Sequence, residues 1–322
     1  MPLSESDDNG KVFEGQDYMV RALAANKELR AFSVTSRNLT EYARKAHGLT
    51  PLTTAALGRT MAAGLMMSDM LKDPDGLLTI RFRGDGPIGG ITVTADNHGD
   101  VKGFVQNPLV VLPEKPEHHL DVGRAVGRGT LSVIRDMDRD HTYNGQVAIH
   151  SGEIADDLTY YFAESEQIPS SVGLGVLVDR DLSVRQAGGF IIQLLPFASE
   201  ETISKLESNL REIPSVTEML DSGMTPEDLL RRVLDGFDVE ITERIPVRFY
   251  CNCSRDRVER ALKLLGKDEI GNIAKDRKDE EIRCHFCGKK YRFSAEEIQK
   301  IYTELLEEEK KKKEKAEEQE RS

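Results

Sequence analysis

At 322 residues, with 39% hydrophobic and 31% charged, the chain has the composition of an ordinary globular protein with room for two domains. Its formal net charge of −12 argues against a general affinity for nucleic-acid phosphates. No apolar run approaches the roughly 20 residues of a membrane helix, and the acidic start from Met1 to Asp8 lacks the apolar core of a signal peptide, so a cytoplasmic location is expected.

Residues 1–15 read as a flexible lead, and the two apolar stretches between Tyr18 and Val34 as a hairpin. Asn38 with Glu41 resembles a capping box opening a helix through Ala43 and Ala46. Residues 52–72 are rich in Ala, Leu and Met without proline; Leu57, Met61, Leu65 and Leu71 predict a largely buried helix. The period then shortens to two. Leu78–Phe82, Ile91–Thr94 and Val101–Val105 alternate between Gly and Asp breaks and predict antiparallel strands. Further strands are expected at 130–134, 146–150, 172–178 and 190–194, with a helix across 155–165. Residues 1–196 thus read as one α+β core domain.

After Pro196 the character changes. Between Glu200 and Tyr250, twelve acidic residues face six basic ones. Ile203, Leu206, Leu210 and Ile213 form a narrow apolar stripe, and Thr225 before Pro226, with Asp228 beyond, marks a helix start. That helix carries Leu229, Leu230, Val233, Leu234 and Phe237 on its inner face. Such short helices do not hold alone, so residues 197–249 read as a helical linker packed on its neighbours.

All four cysteines fall in the module at 250–302: Cys251 and Cys253, then thirty residues, then Cys284 and Cys287. Two close pairs separated by a long insert are a metal-ligand pattern, and four thiolates suit a closed tetrahedral zinc site. Cytosolic thiols stay reduced, which favours metal over standing disulfides. Ser254 is placed to cap a helix stopped by Gly266, Cys284–Phe293 reads as a knuckle on a small hairpin, and Ser294 with Glu297 as a capping box. The remaining tail, 303–322, is Glu- and Lys-rich and reads as a solvated helix or as disordered.

A zinc module serves as staple, nucleic-acid finger or redox switch. Residues 251–300 hold 13 basic against 10 acidic residues, too weak a surplus for nucleic acid once four thiolates are counted. A switch is energetically feasible: structural zinc contributes roughly 10–16 kcal/mol in finger peptides, against about 5–15 kcal/mol for a whole domain. A disulfide oxidoreductase working through Cys284 and Cys287 is the enzymatic alternative, though no βαβ frame precedes them. His285, inside the knuckle, is expected to face solvent. The Gly-rich stretch 84–90 reads as a turn rather than a phosphate loop, and His98, His118, His119, His141 and His150 as scattered surface or structural residues. No catalytic constellation stands out.

With these residues in view, the chain resembles the heat-shock protein 33 family, the redox-regulated chaperones also called the 33 kDa chaperonin. The Cys-x-Cys and Cys-x-x-Cys pairs carry the resemblance, together with 83–87, 101–108, 160–169, 186–190 and 246–251. The resemblance implies an ATP-independent holdase, not an enzyme, inactive while Cys251, Cys253, Cys284 and Cys287 bind one Zn²⁺. It implies that peroxide with heat, or hypochlorous acid, forms the disulfides Cys251–Cys253 and Cys284–Cys287, with loss of zinc, unfolding of module and linker, and homodimerisation. Exposed apolar surface then holds unfolding clients for ATP-dependent refolding chaperones. Ile203, Leu206, Leu210, Leu230, Val233 and Leu234 are candidates for that concealed surface. Nucleic-acid and membrane partners are not expected. Only the acidic lead and the tail after about residue 303 look like additions.

Overall fold

A computed structural model describes residues 15–73, 75–116, 119–136 and 142–320, with side chains described as far as residue 310, residue 308 excepted. Of the expected lead over 1–15, residues 1–14 lie outside these residues, as do His118 and His141. Two compact units emerge, Met1–Tyr250 and Cys251–Ser322.

The first unit opens with the expected hairpin, β1 (Tyr18–Ala24) and β2 (Leu29–Thr35). Helix α1 (Arg37–His47) follows, but Asn38 does not cap it. The Asp17 carboxylate instead accepts the amides of Asn38 and Leu39 at 3.1 and 2.7 Å. Glu41 turns to Arg44 and to the Val184 amide. A carboxylate brought in by the fold has displaced the local cap.

Helix α2 (Pro51–Ser68) is capped by Thr50 and ends a turn before residue 72. It is buried nearly all round, as its composition predicted, because sheets cover both sides. The elements β3 (Leu77–Gly84), β4 (Ile91–Asp96), β5 (Asp100–Val105), α3 (Val122–Val126), β6 (Gly129–Asp136) and β7 (Thr142–Ala148) follow. The β3–β4 connection is the expected glycine turn, with Gly89 at φ +74°. Strand β7 begins four residues earlier than anticipated. Then come α4 (Ile154–Tyr161), a π-helical turn over Phe162–Glu166, β8 (Ser170–Val178) and β9 (Val184–Leu194).

Three helices cover the second stretch of this unit: α5 (Glu200–Glu212), α6 (Val216–Asp221) and α7 (Pro226–Val233). Thr225 and Asp228 form a reciprocal capping box on α7. The expectation of a wholly helical linker is corrected beyond it. Val239–Pro246 is strand β10, antiparallel to β1, and Arg248–Phe249 is β11, parallel to β5. Alternating Val239, Ile241 and Ile245 carried that signal in the sequence. The sheets run β10-β1-β2-β9-β8 and β11-β5-β4-β3-β6-β7. Helix α2 fills the space between them, while α5 to α7 cover the outer face of the first sheet.

The second unit comprises α8 (Arg255–Lys263), α9 (Lys267–Lys275), the hairpin β12 (Glu280–Arg283) and β13 (Lys290–Phe293), and α10 (Ala295–Glu320). Gly266, expected as a stop, is also the N-cap residue of the unanticipated α9, at φ +86°. The Ser294–Glu297 capping box is formed: each backbone amide is bound by the other residue's side chain, at 2.8 and 3.2 Å. Leu262, Ile270, Ala274, Tyr291, Phe293, Ile298 and Ile301 make up a small core.

Candidate metal centre

The two cysteine pairs sit on turns whose geometry is set locally. Ser254 accepts the Arg257 amide and starts α8 directly after Cys253. On the other side, the Cys284 amide donates to the Lys289 carbonyl at 2.9 Å and the Gly288 amide to the Cys284 carbonyl at 2.8 Å. This closes a knuckle that needs Gly288 at φ +70°.

All four sulfurs lie within 4.8 Å of one another. Cys251 Sγ is 3.8 Å from Cys284 Sγ, and Cys253 Sγ is 3.3 Å from Cys287 Sγ. All four are free thiols. Zinc held by sulfur at about 2.3 Å in a tetrahedron separates its ligands by about 3.8 Å, so the donor set fits that ion in type, number and spacing. His285 is exposed and is not part of the ligand group.

Burial pushes the Cys251 thiol up to about 11 and raises Cys287 as well. Burial acts on Cys253 in the same sense, yet its thiol falls below the ordinary value because Tyr291 and the neighbouring thiols donate to its sulfur. The Tyr291 hydroxyl is 3.1 Å from Cys253 Sγ. Burial thus sets Cys251 and Cys287 against ionising. A bound cation reverses that balance and holds all four as thiolates. Sequence reasoning passed over Tyr291; only the apolar alternation of β13, with Tyr291 and Phe293 inward, marked it.

In the first unit, Leu206, Leu230, Val233 and Leu234 are buried against Val20, Ala22, Leu29, Ala31, Phe190 and Ile192 of the sheet. Leu210 packs at the margin, and Ile203 is half-buried. A cavity of about 670 Å³, bordered by Asp17, Tyr42, His98, Asp100, Arg248 and Phe249, also lies in this unit. Its carboxylates are already engaged, Asp17 by helix amides and Asp100 by Arg248 at 2.6 Å. His98 and His119 are exposed, and His150 stacks on Tyr160 with ring centroids 5.5 Å apart. Among the described residues no helix is long and apolar enough to cross a membrane.

These features define an α+β protein carrying a separate four-cysteine module suited to zinc. The family model described as Hsp33 protein matches residues 17–294. The 33 kDa chaperonin of Lachnoclostridium phytofermentans is 52% identical over 287 residues, 89% of this chain and 98% of the relative. That of Clostridioides difficile is 47% identical over 291 residues, covering 90% of this chain and all of the relative (100%). The crystal structure of the 33 kDa chaperonin (heat shock protein 33 homolog) from Thermotoga maritima superposes with a TM-score of 0.84 at 32% identity, over 91% of this chain and 99% of that one. The chain belongs to the Hsp33 family, and its role is that of a chaperone.

Proposed function

We propose that this chain is an ATP-independent holdase, cytoplasmic, gated by oxidation of its four-cysteine site. The single observation that carries this reading is the gathering of four free thiols within 4.8 Å in a module with little core of its own. When bound, one Zn²⁺ per chain supplies the charge that holds Cys251, Cys253, Cys284 and Cys287 together and most of the module's folding energy.

Hydrogen peroxide is the oxidant in the proposed step. One sulfur attacks a peroxide oxygen, the O–O bond breaks, and a sulfenic acid and hydroxide result. A second thiolate then attacks that sulfur and expels hydroxide, closing a disulfide. Two electrons pass from sulfur to oxygen, and two waters form with the protons taken up. We assign the disulfides as Cys251–Cys253 and Cys284–Cys287. Either one removes two metal ligands, so the module loses its main support.

Opening then extends to residues 197–249, where Leu206, Leu230, Val233 and Leu234 are concealed. Together with Ile203 and Leu210 they form the client surface we propose. The acidic excess of this stretch keeps it dispersed once unfolded. The oxidised chain pairs as a homodimer and passes clients to ATP-dependent chaperones.

The test is a zinc-release assay run in parallel with an aggregation assay on reduced and peroxide-treated protein at elevated temperature. Release of one zinc per chain, with client protection appearing only after treatment, is the expected result. Equal protection before and after treatment identifies a constitutive staple instead. Catalytic turnover of a disulfide substrate identifies an oxidoreductase.

A further inference from the structure

We propose that the Tyr291 hydroxyl is a brake on this site: its hydrogen bond to Cys253 Sγ slows oxidation of that sulfur, which would otherwise react first of the four and open the cluster by the fastest route. The inference rests on the redox-gated reading above and adds to it a positioning residue outside the four ligands.

The hydroxyl lies 3.1 Å from Cys253 Sγ. Its placement is firm. On β13 the burial alternates, so that Tyr291 and Phe293 point inward while Lys290 and Arg292 point out. Pairing of Tyr291 with Ile282 fixes the register, and the ring is only 7% exposed within the module core. A ring held on all sides delivers its oxygen to one sulfur. Backbone amides of Cys253 and Lys289 face Cys251 and Cys287. Tyr291 differs from them in being a side-chain donor, removable without disturbing the backbone.

A metal-bound cysteine sulfur is a thiolate throughout the working pH range. The hydroxyl therefore has no proton on Cys253 to displace, and it acts only on the sulfur lone pairs. A lone pair engaged by a donor is less available to attack a peroxide oxygen. Oxidation of Cys253 forms an S–O bond as the O–O bond of hydrogen peroxide breaks, giving a sulfenic acid and a hydroxide that takes up a proton. A partner thiolate then displaces hydroxide from the sulfenic sulfur. The first of these two steps is the one the hydrogen bond opposes.

The test uses full-length, reduced, zinc-loaded Tyr291→Phe, which keeps the packed ring. Zinc release by hydrogen peroxide, followed with a chromophoric chelator, is expected to be about three- to tenfold faster than in the wild type, a fraction of what a hydrogen bond to a charged group contributes. An unchanged or slower rate overturns the proposal. The cobalt-loaded variant supplies a readout that packing alone does not move. Loss of the donor shifts the sulfur-to-cobalt charge-transfer band to lower energy, and an unshifted band also overturns it. A measurement on the wild type covers the case of a poorly folding variant. A sulfenic-acid probe with mass spectrometry is expected to label Cys253 after the other three cysteines, and earliest labelling of Cys253 overturns the brake. If peroxide releases zinc from neither protein, the redox-gated reading fails, while the cobalt band still reports on the hydrogen bond.

Discussion

The gathering of Cys251, Cys253, Cys284 and Cys287 into one cluster was legible in the sequence, because two close pairs around a long insert form a metal-ligand pattern whatever the folding detail. Replacing any one by Ser is expected to abolish stoichiometric zinc binding, checked by metal analysis of the purified reduced protein. Tyr291 and Asp17 were not legible, since each acts on a partner far away in sequence: Cys253 is 38 residues off and Leu39 is 22. Asp17 offers a test of its own. Desolvation by burial raises its carboxyl to about 6, against helix amides that act in the opposite sense. A folded-state value above the ordinary carboxylate range means the folded chain binds the proton more tightly than the unfolded one. Its contribution is therefore favourable in acid and is lost as pH rises from about 4 through about 6. Measured by denaturant unfolding, the stability of the wild type relative to Asp17→Asn is expected to fall by about 2 kcal/mol between pH 4 and pH 7. A flat difference refutes the assignment.

Elements with strong internal periodicity matched their expected places: β1 to β5, α2, α7 and the hairpin around the knuckle. Those that depend on a distant partner did not. Strand β10 exists because β1 offers it an edge, and β11 because β5 does. Helix α9 was hidden by reading Gly266 only as a stop, although the same left-handed glycine starts the next helix. Of the two readings of the charged tail, a solvated helix or disorder, the structure shows the helix as far as Glu320. Helix α10 begins at Ala295, just beyond the region matched by the family model, and runs to Glu320 without a break at residue 303. Ile298, Ile301, Tyr302 and Leu305 pack into the module, while Lys263–Glu304 and Lys267–Glu309 join it to α8 and α9, each at 2.7 Å. Truncation after Thr303 is expected to lower the melting temperature of the second unit by a few degrees, about what loss of a partly buried Leu and its neighbours produces in a domain this small. Added salt should narrow the difference, because exposed ion pairs are screened. Differential scanning calorimetry at two salt concentrations decides the point.

At the scale of the whole chain, the two compact units have different sources of stability. The first, Met1–Tyr250, buries helix α2 between two sheets and covers one of them with α5 to α7. The second, Cys251–Ser322, has a small core and a site suited to an ion. Chelation of the reduced protein is therefore expected to remove amide protection from residues 251–303 while leaving that of α2 and its sheets, as hydrogen exchange by mass spectrometry reports. Uniform protection after chelation contradicts this division. The thirty residues between the cysteine pairs carry one further consequence. An ion gripping both pairs is a cross-link spanning a long loop, and restraining such a loop in the unfolded chain is worth about 3–4 kcal/mol. Bonds formed within Cys251–Cys253 and within Cys284–Cys287 would close rings too small to restrain anything. Exchanging one kind of link for the other keeps the number of sulfur attachments but discards the long-range tether. The oxidised module would then be untied topologically as well as chemically, and reduction alone would not retie it until metal returned.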